Sequence, residues 1–447
     1  MNSSNIDPLS ESDFLEVLSE LISIPSVKGE STENAPYGVA TAQALDYLLG
    51  RAEASGLSVR TLDNRVGYAE WGSGSRLVAV LCHLDVVPPG EGWETEPFSL
   101  TRKEGLLIGR GVMDNKGPAV CALFALLRLK ESGYIPSCRI RLIFGLDEEH
   151  DCTCMDHYVA VEELPDTGFT PDASFPAIFA EKGILQFSVR GQGSTTVEAV
   201  GGDAYNMVPS SCSITDLATG ERFPASGIPA HASTPEKGVN AILKAVSALP
   251  DTISRHEPLT DFLGQYLARD KDISALITSA PADISGDLTV NVGLIRISSD
   301  ESMAGIDIRY PVESSGDDIY REISGKAASF GLETRIVSHL KPLFTPPDSH
   351  SMIALRGAYN RYVQQAYLAE HPGTKDIPEE CLSSDPIAIG GGTYARSMPD
   401  IVAFGPVFPW EESKMHQKNE SCSERVMLIS VSLYEDAVKS LCESLEA

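Results

Sequence analysis

The 447-residue chain lacks a paired-cysteine framework. Its nine cysteines, at 82, 121, 138, 152, 154, 212, 381, 422 and 442, are odd in number and scattered, and no CxxC pair occurs. That excludes a disulfide scaffold and a thiolate zinc site. Cys152 and Cys154 are too close for a structural zinc pair, so reduced thiols of a cytoplasmic protein are the expectation. Basic residues are scarce as well: 35 Lys and Arg stand against 63 Asp and Glu, a net charge of −28. Nucleic acid and anionic membrane are bound through Lys and Arg, so neither is expected as a partner. The acidic excess favours solubility and suits cation binding, and it carries no information on fold. Long apolar runs are also missing; the longest, residues 119–127, is far too short to span a bilayer. The start, Met1-Asn2-Ser3-Ser4, has neither a basic n-region nor an apolar h-region, so no signal peptide is read and a cytoplasmic location is expected.

What is there is ordinary globular composition, 42% hydrophobic and 22% charged, in a chain long enough to need two cores. Residues 10–24 carry Leu15, Val17, Leu18, Leu21 and Ile22 at helical spacing, with Ser10 or Ser12 as N-cap, and residues 41–55 predict a second helix closed by Gly56. Residues 77–83 form a continuous apolar run of the kind found in doubly covered parallel strands. It runs into His83-Leu84-Asp85, where His83 and Asp85 share a face because residues two apart in extended chain point the same way. Asp85 can accept from the other ring nitrogen of a metal-binding His83; a core histidine paired with a carboxylate fits the same residues.

Asp114 sits in a glycine-flanked loop, Gly109-Arg110-Gly111-Val112-Met113-Asp114-Asn115-Lys116-Gly117-Pro118, ahead of a helix over 119–130. There it is either a ligand or a helix-entry acid in the favourable dipole position. Residues 139–144 read as a buried strand ending in Asp147-Glu148-Glu149. Carboxylates at the end of an apolar strand need a cation or a wet cleft to stay ionised, and a solvated acidic loop is the plainer alternative. Asp172 lies between Pro171 and Pro176 in a loop, where turn chemistry alone would explain it. His416 lies in a polar loop before a helix over about 421–445. Each signal is weak by itself. A histidine and three acidic sites after successive βα-type elements, with a second histidine far downstream, form a coherent ligand set at the strand ends where open α/β sheets bind.

In this order the motifs resemble the di-metal (zinc) peptidase family that includes carboxypeptidase G, aminoacylase and carnosinase, and within it the PepV-type dipeptidases. The segments carrying the resemblance are His83-Leu84-Asp85-Val86-Val87-Pro88, the 109–118 loop, Gly145-Leu146-Asp147-Glu148-Glu149, Pro171-Asp172-Ala173 and Gly390-Gly391-Gly392-Thr393-Tyr394. The resemblance implies that Asp114 bridges two metals, with His83 and Asp172 completing one site and Glu149 and His416 the other. It makes Glu148 the general base and Asp85 the orienter of His83. Asn115 stands where many relatives have Asp, a position that is not a ligand. Two divalent ions roughly 3.5–4 Å apart share a hydroxide, lower its pKa towards 7 and polarise a scissile carbonyl. The mixed His and carboxylate set suits two divalent cations, Zn²⁺ first, with Mn²⁺ and Co²⁺ as alternatives.

From Gly183 onward the long apolar strands give way to amphipathic elements and return near Leu340, so the expected organisation is a catalytic domain in two parts, 1–185 and 342–447, around an inserted lid domain, 186–341. The expected fold class is α/β: a mixed-sheet catalytic domain with helices on both faces, plus an α+β lid. Gly201-Gly202-Asp203-Ala204-Tyr205-Asn206-Met207-Val208-Pro209, Ala230-His231-Ala232-Ser233-Thr234-Pro235 and Gly305-Ile306-Asp307-Ile308-Arg309-Tyr310-Pro311 resemble the family's lid motifs. That resemblance gives Asn206 and His231 the developing oxyanion. It gives Arg309 the substrate's terminal carboxylate, with backbone N–H groups of Gly391 and Gly392 added. The Asn motif precedes the His motif, as in the PepV lid, which implies a monomer rather than a homodimer. The expected activity is dipeptide hydrolysis; the alternatives are an N-acyl-amino-acid deacylase or carboxypeptidase on the same fold, or a non-catalytic metal- or peptide-binding protein.

Overall fold

The computed structural model describes residues 10–268 and 273–446; Met1–Ser4, read above for targeting, lie outside the described residues. The chain divides into two compact units, one of Met1–Phe179, Thr345–Ile387 and Thr393–Ala447, the other of Ala180–Phe344 and Ala388–Gly392.

The first unit opens with helices α1 (Glu11–Ser23) and α2 (Val39–Ala54). Ser10 caps α1 by accepting from the Asp13 amide, and Phe14, Val17, Leu18, Leu21 and Ile22 form its buried stripe. Strands β1 (Ser58–Leu62), β2 (Val66–Gly72) and β3 (Leu77–His83) follow, then the short hairpin β4 (Thr101–Lys103) and β5 (Leu106–Ile108). Next come α3 (Lys116–Glu131), β6 (Arg139–Gly145), α4 (Thr153–Val161) and β7 (Thr167–Thr170). The main sheet runs β1-β2-β6-β3-β7 and continues to the strand Ile401–Ala403. β3 is parallel to both β6 and β7, while β2 is antiparallel to β6, so the sheet is mixed. Every residue of β3 is buried, as an apolar run covered on both sides requires. Helix α3 is buried along nearly its whole length, packed on the sheet beside α1 and the final helix Glu424–Ser444, which also lies along His350–Glu370. Among the described residues no helix is long and apolar enough to cross a membrane, and all nine cysteines are free thiols.

The second unit is an antiparallel sheet in the order Arg222–Ser226, Ser211–Asp216, Val197–Gly201, Thr289–Ile297, Glu301–Tyr310, Gly183–Gln192, Glu333–Leu340. Ala241–Ala248, Pro258–Tyr266 and Gly316–Ala328 pack on it over a core that includes Leu185, Phe187, Ile242, Phe262, Ile306 and Ile323. This is an α+β arrangement with its own hydrophobic centre.

The loop that follows Phe408 is pinned by aromatics: Trp410 stacks on Phe408 at 4.8 Å, meets Tyr367 edge-on and donates its indole N–H to Glu370 at 2.7 Å. Glu411 accepts from the Phe408 amide at 2.7 Å beside a cavity of about 20 Å³ lined by Met113, Cys121, Val426 and Met427. Burial against these apolar groups, with Glu370 adding repulsion, pushes the Glu411 carboxyl up from 4.5 to about 7. A folded-state pKa above the unfolded value means the native chain holds the proton through that window, so stability falls as pH rises from about 4.5 to 7. Glu411→Gln, which keeps the accepting oxygen, is therefore expected to stabilise the chain at pH 8 by up to about 3 kcal/mol and to be neutral near pH 4.5. Urea unfolding at the two pH values checks this; equal gaps at both would refute it.

Candidate metal centre

Because β3, β6 and β7 are parallel, their C-terminal ends fall on one edge of the sheet, with His83 paired in register to Gly145. His83 is the last residue of β3, Glu148 and Glu149 follow β6, and Asp172 follows β7. Gly145 has to be glycine, since a Cβ there would meet the Tyr394 hydroxyl at 1.7 Å. Asp114 reaches the same edge from the loop ahead of α3, and His416 from the loop ahead of the last helix, at φ +62°.

Two histidines face the two oxygens of one carboxylate. His83 Nε2 lies 2.9 Å from Asp114 Oδ1, and His416 Nε2 lies 2.8 Å from Asp114 Oδ2. Asp172 Oδ1 is 3.6 Å from His83 Nε2, and Glu149 Oε2 is 2.9 Å from His416 Nε2. Donor atoms of His83, Asp114 and Glu149 all lie within 4.8 Å of one another, as do those of His83, Glu148 and Asp172. His83 Nδ1 is 3.0 Å from the main-chain carbonyl of Asp85, which can only accept. In the neutral ring the proton is therefore on Nδ1, and Nε2 offers its lone pair to the cluster.

The expected orienter Asp85 thus acts on His83 chiefly through its carbonyl; its Oδ1 is farther, at 3.5 Å. The Asp85 carboxylate instead accepts from the Glu148 and Glu149 amides, at 3.2 and 3.1 Å, and so fixes the backbone of both glutamates.

Four carboxylates and two imidazoles crowd this edge of the sheet and shift one another. Burial would raise the Asp114 carboxyl, yet His416 and His83 hold it below the ordinary range. Burial and the charges of Asp114 and Glu149 push Asp172 up to about 6 against the pull of His83. Burial, with Asp172 next, drives Glu148 well above its ordinary value. Hydrogen bonds to Asp114 and Glu149 push His416 up to about 10. Glu149 Oε1 is buried and has no hydrogen-bond partner. Crowded carboxylates, imidazole nitrogens turned inward and an orphaned carboxylate oxygen are what a site for divalent cations presents, and the residues fit that group.

The remaining expected site residues lie in the second unit. Met207 and His231 form a bridge, and the Ala232 amide donates to Asn206 O at 2.9 Å, so Asn206 and His231 are neighbours. His231 Nδ1 accepts from the Ser233 amide at 3.2 Å, which leaves the proton on Nε2. Burial, then the Arg309 charge, lower the His231 pKa and favour the neutral ring. Arg309 is buried in a two-point pairing with Asp307, at 2.6 and 3.0 Å, and donates to Gly390 O at 2.8 Å, which ties it to the loop of Gly391 and Gly392. Asp307 was open to sequence reasoning, since it sits two residues before Arg309 on the same strand face.

The sequence profile of peptidase family M20/M25/M40 matches residues 79–440. The chain belongs to this family. As an M20-family protein it is a metal-dependent peptidase, a hydrolase of peptide bonds. One relative, named "Putative dipeptidase SH1171", from Staphylococcus haemolyticus, is 32% identical, with 97% of each chain covered. Human carnosine dipeptidase 1 shares the fold at 14% identity and a TM-score of 0.57, over 97% of this chain and 96% of that one. Aminoacylhistidine dipeptidase from Vibrio alginolyticus does so at 14% identity and 0.57, over 99% and 98%.

Several supports of the M20 centre were given no such role from sequence. Asn115 donates to Pro171 O at 2.6 Å and so joins the Asp114 and Asp172 loops. Asp147, inside the acidic run, is buried against Lys28 at 2.7 Å and accepts from Thr153 Oγ1 at 2.6 Å. Tyr394 packs edge-on to His83 at 5.9 Å. Local sequence carries no signal for the Lys28 and Tyr394 contacts, because their partners are remote in the chain.

Proposed function

We propose that this M20-family chain is a dipeptidase that hydrolyses short peptides bearing a free C-terminal carboxylate. The observation that carries the reading is Asp114 with one histidine on each oxygen and an additional glutamate, Glu148, at the same cluster. His83 and Asp172 would hold one divalent cation, Glu149 and His416 the other, with Asp114 shared. When bound, the cations supply Lewis acidity and make water acidic enough to attack near neutral pH. Glu148 takes the proton of the attacking water and returns it to the leaving amine; its amide is held by Asp85, which fixes the backbone from which the side chain reaches. Asn206 and the neutral His231, donating through Nε2, hold the oxyanion. Arg309, with amides of Gly391 and Gly392, receives the terminal carboxylate; its bond to Gly390 O supports placing these groups together. Zn²⁺ ahead of Mn²⁺ or Co²⁺, a cytoplasmic setting and a monomer belong to the same proposal, and they rest on the donor set, the free thiols and the order of the lid motifs.

The test is metal analysis of the full chain with parallel assays of a dipeptide panel and the matching N-acetyl amino acids. Turnover of dipeptides with two ions per chain is expected. Turnover confined to N-acetyl amino acids would overturn the substrate assignment, and no turnover with Zn²⁺, Mn²⁺ or Co²⁺ would favour a binding protein.

A further inference from the structure

We propose that Glu420 is a positioning residue that sets the affinity of the His416 side of the centre; this rests on the two-cation reading above. Glu420 is fully buried, and its carboxylate is saturated. Oε2 accepts from Arg110 Nη1 at 2.7 Å and the Gly111 amide at 3.0 Å. Oε1 accepts from the amides of Met113 at 2.8 Å and Asp114 at 3.1 Å. Three consecutive-turn amides and a guanidinium converge on one side chain, a geometry that holds an anion tightly and is held by it in return.

The location decides what this does. The strand Ser421–Ser423 pairs antiparallel with β5, and the Gly109 amide donates to Glu420 O at 3.1 Å. Beyond that bond the two chains part, one leading to Asp114 and the other back to His416. Glu420 ties them where they diverge, and one residue nearer His416 the Asn419 Oδ1 accepts from the Glu94 amide at 2.8 Å. His416 itself is 56% exposed, in a loop whose neighbours are mostly exposed, so it has little packing of its own to hold it. Its partner Asp114 is placed through the very amide that Glu420 grips. His83 and Asp172, by contrast, are placed by the ends of β3 and β7. Loosening Glu420 therefore disturbs both Asp114 and His416 on one side of the centre, but only the shared Asp114 on the other, where His83 and Asp172 stay anchored on the sheet.

The experiment uses the full chain loaded with Zn²⁺ and challenged with a chelator series, counting ions retained per chain. In Glu420→Gln the amide nitrogen faces N–H donors, and one ion is expected to leave about 10–100-fold more readily, as when an outer partner of a ligand is removed. The second ion, which shares Asp114 but keeps His83 and Asp172 on the sheet, should weaken clearly less. Because breaking a buried ion pair can unfold a chain, Glu420→Asp is measured beside it. That variant keeps the charge for Arg110 but is one methylene too short to reach all three amides, and it should show the same selective loss at smaller amplitude. Both variants retaining two ions as tightly as wild type would overturn the proposal, and so would equal weakening of both ions in step with lowered thermal stability, the pattern of a merely structural residue. A wild-type chain that holds fewer than two ions would bring down the two-cation reading itself, an outcome distinguishable from failure of the Glu420 role.

Discussion

Glu148→Gln is expected to lower kcat by about 10²–10⁴-fold, the usual worth of a positioned general acid–base, while the chain keeps two metal ions and KM changes little. The substitution is nearly isosteric and removes only the ability to take up a proton. The backbone of Glu148 stays fixed, because the Asp85 carboxylate grips its amide and not its side chain. The neighbouring Glu149 is held by the other oxygen of Asp85, so ligand geometry should survive. What could sink this division of labour is also visible: a Glu148 oxygen lies within 4.8 Å of the donor atoms of His83 and Asp172. If Glu148→Gln loses a metal ion along with activity, Glu148 is a ligand and the proton must be taken by another group. Metal content measured on the same sample that is assayed separates the two.

The parts of this molecule that could be read from sequence are those written in short-range periodicity. Residues 77–83 announce a buried strand because every position is apolar, and β3 is indeed buried throughout. The run 119–127 announces a covered helix, and α3 is packed on both sides. Once parallel strands are granted, His83, Glu149 and Asp172 have to emerge at one edge, so their meeting is a consequence of topology. His416 had no such logic, since nothing local fixes where a loop more than 300 residues downstream will close. It entered as the candidate partner of the four upstream sites, and the resemblance gave it its place. Ser10 capping its own helix was legible, but long-range contacts that depend on main-chain atoms escaped. The Asp85 carbonyl, not only its carboxylate, orients His83, and the Glu420 carboxylate binds amides 306 to 309 residues away. Amides are the same at every position, so no residue pattern marks them. The pairing of Arg309 with Asp307 lay within reach of strand periodicity, whereas its bond to Gly390 O depends on how a distant loop folds back.

Asp114→Asn should be the most damaging single change to the centre, leaving at most one ion per chain and cutting kcat/KM at least about 10³-fold, the equivalent of several kcal/mol of lost charge stabilisation. Both oxygens of Asp114 are committed, Oδ1 toward His83 and Oδ2 toward His416. An amide keeps the shape but presents N–H donors on one side, where a histidine lone pair and a cation would meet them. Loss of the negative charge also removes what draws both imidazoles inward; His416, half exposed, should swing away first, whereas His83 is fully buried and held by the Asp85 carbonyl. The surviving ion, if any, should therefore sit with His83 and Asp172. Ion counting on the purified variant, together with a second variant His416→Ala, checks the order of loss. If Asp114→Asn retains two ions and near-normal turnover, the shared carboxylate is not what joins the two sites, and the reading of a paired-cation centre fails at its middle.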